Sequence, residues 1–209
     1  LLQTSAIRIL INPFRPLGCT AGYPAPAVQA DLVLLSSRLF DEGALDVVSG
    51  NPRVLFEPGD YQVEGIRIQG VKMAHDNTTT RGDRFGLNVA WRAQLGGLDV
   101  VHLGGAAAPI TREQSILLSQ PDLMFVPVGG GPKNYDPAGA QAAIQELQPK
   151  LVVPTMYRSE SAASDCELVP LQSFLDLFPA TVQPAPSNPL LLSAQSIPTA
   201  GPILIPFDL

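Results

Sequence analysis

The hydrophobic periodicity of this chain changes once, just past residue 105, and that change limits the available folds more than any single motif. Before it, the apolar segments read as strands. IRILI at 7–11 is β-branched and stops at Asn12-Pro13, a turn dipeptide. DLVLL at 31–35 is almost continuously apolar, as a strand covered on both faces must be, and 53–56 repeats the pattern in brief. Over 61–73 apolar and polar residues alternate, with Gly65 and Gly70 interrupting, which predicts neighbouring antiparallel strands. Residues 85–92 and 98–103 flank Gly96-Gly97, a pair suited to a tight hairpin turn. The stretch 15–29, with three prolines, two glycines and little periodicity, reads as a surface loop.

After residue 105 helices enter. Thr111-Arg112-Glu113-Gln114 forms a capping box: Thr111 accepts from the amide three residues on, Gln114 reaches back, and Ile116, Leu117 and Leu118 follow as the buried stripe. Residues 122–128 predict a buried strand. Asp136-Pro137 supplies an N-cap and a proline at the first helical position, 151–154 is a further strand, and 171–178 a third helix. Beyond Pro179 the proline content argues against helix. Strands first, then strand, helix, strand, helix, predict an α/β fold of two packed mixed sheets with helices outside. At 209 residues the chain fits one compact domain, burying about 70% of its unfolded surface. We expect that domain to cover 1–178, with 179–209 as a proline-rich extension packed on it.

A net charge of −6 supplies no basic field to gather phosphates, so nucleic acid is not an expected partner. No run of eighteen apolar residues occurs, and no membrane span is expected. The chain begins Leu1-Leu2-Gln3, as a processed or truncated product would. The compartment stays open, cytoplasmic by default with export as the alternative. Cys19 and Cys166 have neither metal-knuckle spacing nor the density of a disulfide scaffold. Two buried thiols are the default reading and a disulfide the alternative.

In mixed sheets, the residues just past strand C-termini gather at the edge where ligands bind. Here those segments are Ser36 to Gly43, His75-Asp76-Asn77, Gly104-Gly105-Ala106 and Met156-Tyr157. Taken in order, RILINPF, ADLVLL, VHLGG, PDLMFVPVGGGPKNYDPAGAQAAI and PKLVVPTMY resemble the metallo-β-lactamase fold superfamily, and within it the lactonase-like metal-dependent hydrolases of the ascorbate-6-phosphate lactonase type. The resemblance implies an αββα sandwich, with the family's opening strand cut short before Leu1. It also implies two metal ions, usually zinc, held by a Thr-His-x-His-x-Asp-His turn, a later His, a bridging Asp and a last His, so that a bridging water becomes a hydroxide nucleophile.

Carried over residue by residue, most of that set is missing. Ser36 falls on the Thr, Ser37 and Leu39 on the first two His, Asp41 on the Asp and Glu42 on the third His. His75 matches the later His, Gly105 takes the bridging Asp and Met156 the last His. Only Asp41 and His75 survive in kind, and leucine, glycine and a thioether offer zinc or manganese little.

The remaining candidates each carry a plain reading beside the functional one. Asp41 and Glu42 suit one hard cation, or Asp41 caps a short helix beginning at Glu42. His75 reads as a general base or a structural imidazole, and His102, within an apolar strand, as a core imidazole. Ser36 and Ser37 lack a specified base and oxyanion hole. Gly129-Gly130-Gly131 lacks the Lys-Ser/Thr of a phosphate loop; the glycines read as a turn at the pocket mouth, with Lys133, Asn134 and Tyr135 free to contact something polar. Arg81-Gly82-Asp83 reads as a polar loop.

The expectation is a protein that has lost most dinuclear ligands and acts as a non-catalytic binding or scaffolding homologue without cofactor. The alternative is a hydrolase of lactones, phosphodiesters or related esters using one zinc or manganese ion on Asp41, Glu42 and His75. A third reading places a small molecule in the emptied pocket, over an apolar floor rimmed by Arg38 and Lys133. A protein partner is also open, and the similar lactonases imply a homo-oligomer.

Overall fold

In the computed structural model, which describes residues 1–78 and 82–207, the strands assort into two sheets. The first holds β1 (Leu2–Gln3), β2 (Arg8–Ile11), β3 (Leu32–Leu34) and β4 (Arg53–Leu55) in that order. β1 runs antiparallel to β2, and β2, β3 and β4 are mutually parallel. The second contains β5 (Gly59–Val63), β6 (Ile66–Met73), β7 (Asn88–Leu95), β8 (Leu98–His102), β9 (Leu123–Pro127), β10 (Leu151–Thr155) and β11 (Ile203–Leu204). Its spatial order is β11-β10-β9-β8-β7-β6-β5, an antiparallel meander through β8 followed by parallel strands.

Strand alternation decides what each face touches. Ile68, Val89, Trp91 and Ala93 of the second sheet pack on Ile9, Leu32 and Leu34 of the first. On the opposite face, Val71, Met73, Val101 and Met124 pack beneath α1 (Arg112–Leu118), α2 (Pro137–Leu147) and α3 (Gln172–Leu175), which contribute Leu118, Ile144, Leu147 and Phe174. All three helices therefore cover one sheet. The outer face of the first sheet, where the sandwich reading expects helices too, is covered by loop residues instead: Val28 and Val48 lie against Leu10, Val33 and Leu35.

The Thr111 box forms as predicted, and Asp136 caps α2 through its Oδ1 on the Gly139 amide at 2.7 Å. The third helix is shorter than 171–178. The four-stranded first sheet is too narrow to cover the seven-stranded second, and residues of the 179–209 segment fill the gap. Leu190, Leu192 and Ile197 pack on Val100, Leu123 and Val153, while β11 pairs in parallel with β10. Among the described residues, no helix is long and apolar enough to cross a membrane.

Cys19 and Cys166 form a disulfide, with Cα atoms 4.8 Å apart, which corrects the expectation of two free thiols. The fold brings the loop after β2 against the loop after β10, a proximity that a separation of 147 residues conceals. Of the Arg81-Gly82-Asp83 tripeptide, Arg81 lies outside the described residues.

Candidate functional site

The four strand ends converge as expected. Asn12, just after β2, accepts the Ser36 amide at 2.8 Å through Oδ1, and the Ser36 carbonyl accepts the Val89 amide at 2.9 Å, fixing where the chain leaves β3. The turn then closes on itself: Ser37 Oγ accepts the Leu39 amide, and the Leu39 carbonyl accepts the Glu42 amide. No helix begins at Glu42. The short 3-10 turn at Leu45–Val47 has Ala44 at its N-cap, so the capping role foreseen for Asp41 is not realised.

Asp41 turns toward Lys133. The Lys133 ammonium, on the loop after β9, donates to Asp41 Oδ2 at 2.6 Å and to Glu42 Oε1 at 2.8 Å. Glu42 is 3% exposed, and its Oε1 also lies 3.3 Å from Nε2 of the fully buried His75. Burial raises the Glu42 pKa, but the adjoining His75 ring and the Lys133 charge outweigh it and hold the carboxyl below its ordinary value. For Lys133, burial acts to lower the pKa, yet Glu42 and Asp41 prevail and raise it. The cluster at neutral pH is thus two carboxylates sharing one ammonium.

Neither nitrogen of His75 has a hydrogen-bond partner, nor does Glu42 Oε2. Both face Gly105. A Cβ on that residue would stand 2.7 Å from His75 Nε2 and 2.9 Å from Glu42 Oε2, so only glycine lets the turn pass this close to the two side chains. Asn88, fully buried and unforeseen in the sequence, holds the glycine turn in place: its Nδ2 donates to the Leu103 carbonyl and its Oδ1 accepts the Gly105 amide, both at 2.9 Å. Ser36 Oγ is also without a partner.

Outside this cluster opens a cavity of about 880 Å3, bordered by Leu39, Asp41, Glu42, Lys133 and Met156 among others. Met156 adopts a left-handed backbone at φ 53°, and its carbonyl lies where a Cβ on Gly129 would be, which explains the first glycine of the triplet. His102 also borders the cavity, stacked on Phe125, with Nδ1 accepting the Gly104 amide at 3.0 Å. Burial pushes its pKa down to about 4, so it is neutral at pH 7. Arg38, expected on the rim, instead covers the Phe56 ring. Tyr135 is anchored by its hydroxyl to the Ala108 carbonyl.

These residues do not fit a pair of metal ions. Among the described residues, no group of three or more His, Cys, Asp or Glu side chains is close enough to hold a metal ion. Of Asp41, Glu42 and His75, the structure brings Glu42 and His75 into contact and gives Asp41 to Lys133. Leu39 and Met156 add no useful donor, and Gly105 adds none.

Two packed mixed sheets, with helices over an outer face and strand ends gathered at one edge, match the metallo-β-lactamase fold. The chain belongs to the family described as the Beta-lactamase superfamily domain, which matches residues 1–156. A UPF0173 metal-dependent hydrolase of Heliobacterium modesticaldum is 24% identical over 190 residues, covering 76% of this chain and 79% of that protein. A second, from Thermus thermophilus, is 27% identical over 180 residues, covering 76% and 80%. A crystal structure from Thermotoga maritima, assigned as a Zn-dependent hydrolase of the metallo-β-lactamase superfamily, superposes with a TM-score of 0.73 at 26% identity, over 98% of this chain and 92% of that one. The names these relatives carry agree with the metal-dependent hydrolase alternative better than with the non-catalytic reading.

Proposed function

We propose that this chain uses the metallo-β-lactamase fold without its paired metal ions, as a binding or scaffolding homologue that does not hydrolyse. The observation that carries this is Lys133, whose ammonium is bonded to both carboxylates that remain in the turn after β3. A fixed positive charge within hydrogen-bond distance of both acids repels a divalent cation and satisfies the donors it would need. The packed sheets, not a metal, supply the buried apolar surface, so the fold survives the change.

A second reading rests on the relatives' names and on the unpartnered atoms of His75 and Glu42. In it, one zinc or manganese ion sits on His75 and Glu42, with Asp41 released from Lys133, and the protein hydrolyses lactones, phosphodiesters or related esters. Metal analysis of protein purified without chelators, before and after zinc and manganese supplementation, separates the two. The first reading expects less than stoichiometric metal and no turnover on an ester, lactone and phosphodiester panel. Bound metal with turnover that His75→Ala abolishes establishes the second.

A further inference from the structure

Two of the positions at which the family resemblance implies metal-binding imidazoles hold Leu39 and Met156 instead, and both residues, partly buried, border the cavity beside Lys133. Phe14, Phe85, Phe125 and Tyr157 add ring surface to the same wall. Apolar surface held open around about 880 Å3 is unfavourable in water, and a space of that size accommodates a small organic molecule. The charges on the wall do not call for an ion. Lys133 already donates to Asp41 and Glu42, while Asp165 and Glu167 lie exposed to water. An ion entering would give up its hydration for no free partner, so the lining favours a neutral molecule.

One polar atom on the wall stands available. His102 is partly buried, borders the cavity and stacks on Phe125. Its Nδ1 accepts the Gly104 amide, so the neutral ring carries its proton on Nε2, at the far end of the ring from the main chain. Among the described residues no hydrogen bond takes up that proton, and Nε2 is not shut away from solvent as the nitrogens of His75 are.

We propose that this cavity binds a neutral aromatic molecule carrying a carbonyl oxygen, its body against Leu39, Met156 and the rings of the wall, and its oxygen accepting from Nε2 of His102. The apolar floor supplies affinity, and the single donor selects for the acceptor and orients it. The proposal deepens the binding reading above and rests on it.

The test is titration of the full chain with acetophenone, ethylbenzene and benzoate, followed by proton–nitrogen NMR of the imidazoles, with metal content measured on the same sample. The chain has two histidines, so His102→Phe also assigns the ring signals. Both neutral probes are expected to bind, with benzoate roughly tenfold weaker than acetophenone. Acetophenone alone should move the His102 Nε2 resonance. His102→Phe keeps a ring beside Phe125 and removes the donor: acetophenone should weaken about fivefold and ethylbenzene by less than about twofold. Leu39→Asn, which makes the floor polar, should weaken both neutral probes about fivefold. If His102→Phe fails to fold, the wild-type Nε2 resonance decides the hydrogen bond. No saturable binding of the neutral probes, tighter binding of benzoate, or an Nε2 resonance that acetophenone leaves in place overturns the proposal. So do equal losses for both probes in His102→Phe, or unchanged binding in Leu39→Asn. Failure in a metal-free sample sinks this inference alone, whereas stoichiometric metal sinks the metal-free reading and this inference with it.

Discussion

An ammonium held by carboxylates is stabilising only while the groups stay charged, which ties Lys133 and Glu42 to pH. Glu42 has a folded pKa below its ordinary 4.5. Its contribution is therefore present above that value and lost as pH falls through the lower, folded one. Lys133 is raised above 10.5, so its contribution holds below that value and is lost as pH climbs through the folded one. Asp41, with its side chain 38% exposed, adds little because water screens it. Lys133→Met removes the ammonium and leaves the buried Glu42 carboxyl beside His75 only. We expect the variant to lose about 3 kcal/mol at neutral pH, the usual cost of breaking a buried pair. Without the Lys133 charge the Glu42 pKa moves up from its wild-type folded value, so the variant loses less stability than the wild type as pH falls and the gap between them narrows toward the carboxylate range. Urea midpoints of both proteins between about pH 3 and pH 10 check this. A variant that tracks the wild type across that range removes Lys133 from the account.

At the scale of elements, the strand ends hold each other through atoms that leave no room to spare. The turn after β8 passes so close to the turn after β3 that a Cβ on Gly105 meets both His75 and Glu42 below 3.0 Å. Gly105→Ala should cost about 1–3 kcal/mol by overpacking. Gly105→Asp, which puts a carboxylate where the family resemblance implies a bridging Asp at the cost of a second charge beside Glu42, should cost more. Thermal scans with and without zinc test the pair: zinc should not rescue Gly105→Asp, and a marked upward shift with zinc would mean that one residue separates this pocket from a metal centre. Why some elements were legible in the sequence and others not follows from the range of the forces that form them. β3, the β7–β8 hairpin and the caps of α1 and α2 depend on local alternation, turn residues and side-chain-to-backbone bonds, and each was readable. That all three helices share one sheet was not, because periodicity marks a buried face without naming what covers it. β11 is two residues long, and its pairing with β10 is set by tertiary packing. Positions 37, 39, 105 and 156 were named from the family resemblance, not from a local signal. The bonds of Lys133 to residues 91 and 92 positions earlier depend on the course of the loop after β9, which no local signal encodes.

At the scale of the whole molecule, the two sheets contribute opposite walls to one cavity, and a single covalent link joins those walls. Cys19 lies on the loop leaving β2 of the first sheet, Cys166 on the loop leaving β10 of the second, and both border the cavity. Next to the link the backbones pack so tightly that a Cβ on Gly22 would overlap the Ser161 carbonyl. Disulfides persist in oxidising compartments, and one that closes so long a loop restricts the unfolded chain more than the folded one. Reduction, or Cys19→Ser, should therefore lower global stability by about 2–4 kcal/mol. The loss should not be uniform in its local consequences. Residues 68, 89 and 91 sit in the core between the sheets and keep their packing when the link is cut, whereas the loops 15–29 and 156–170 lose the bond that fixes their spacing. Hydrogen exchange is expected to rise in those two loops under native conditions and to hold steady in β6 and β7. Faster exchange spread evenly over both sheets would instead make the link a fastener of the whole sandwich.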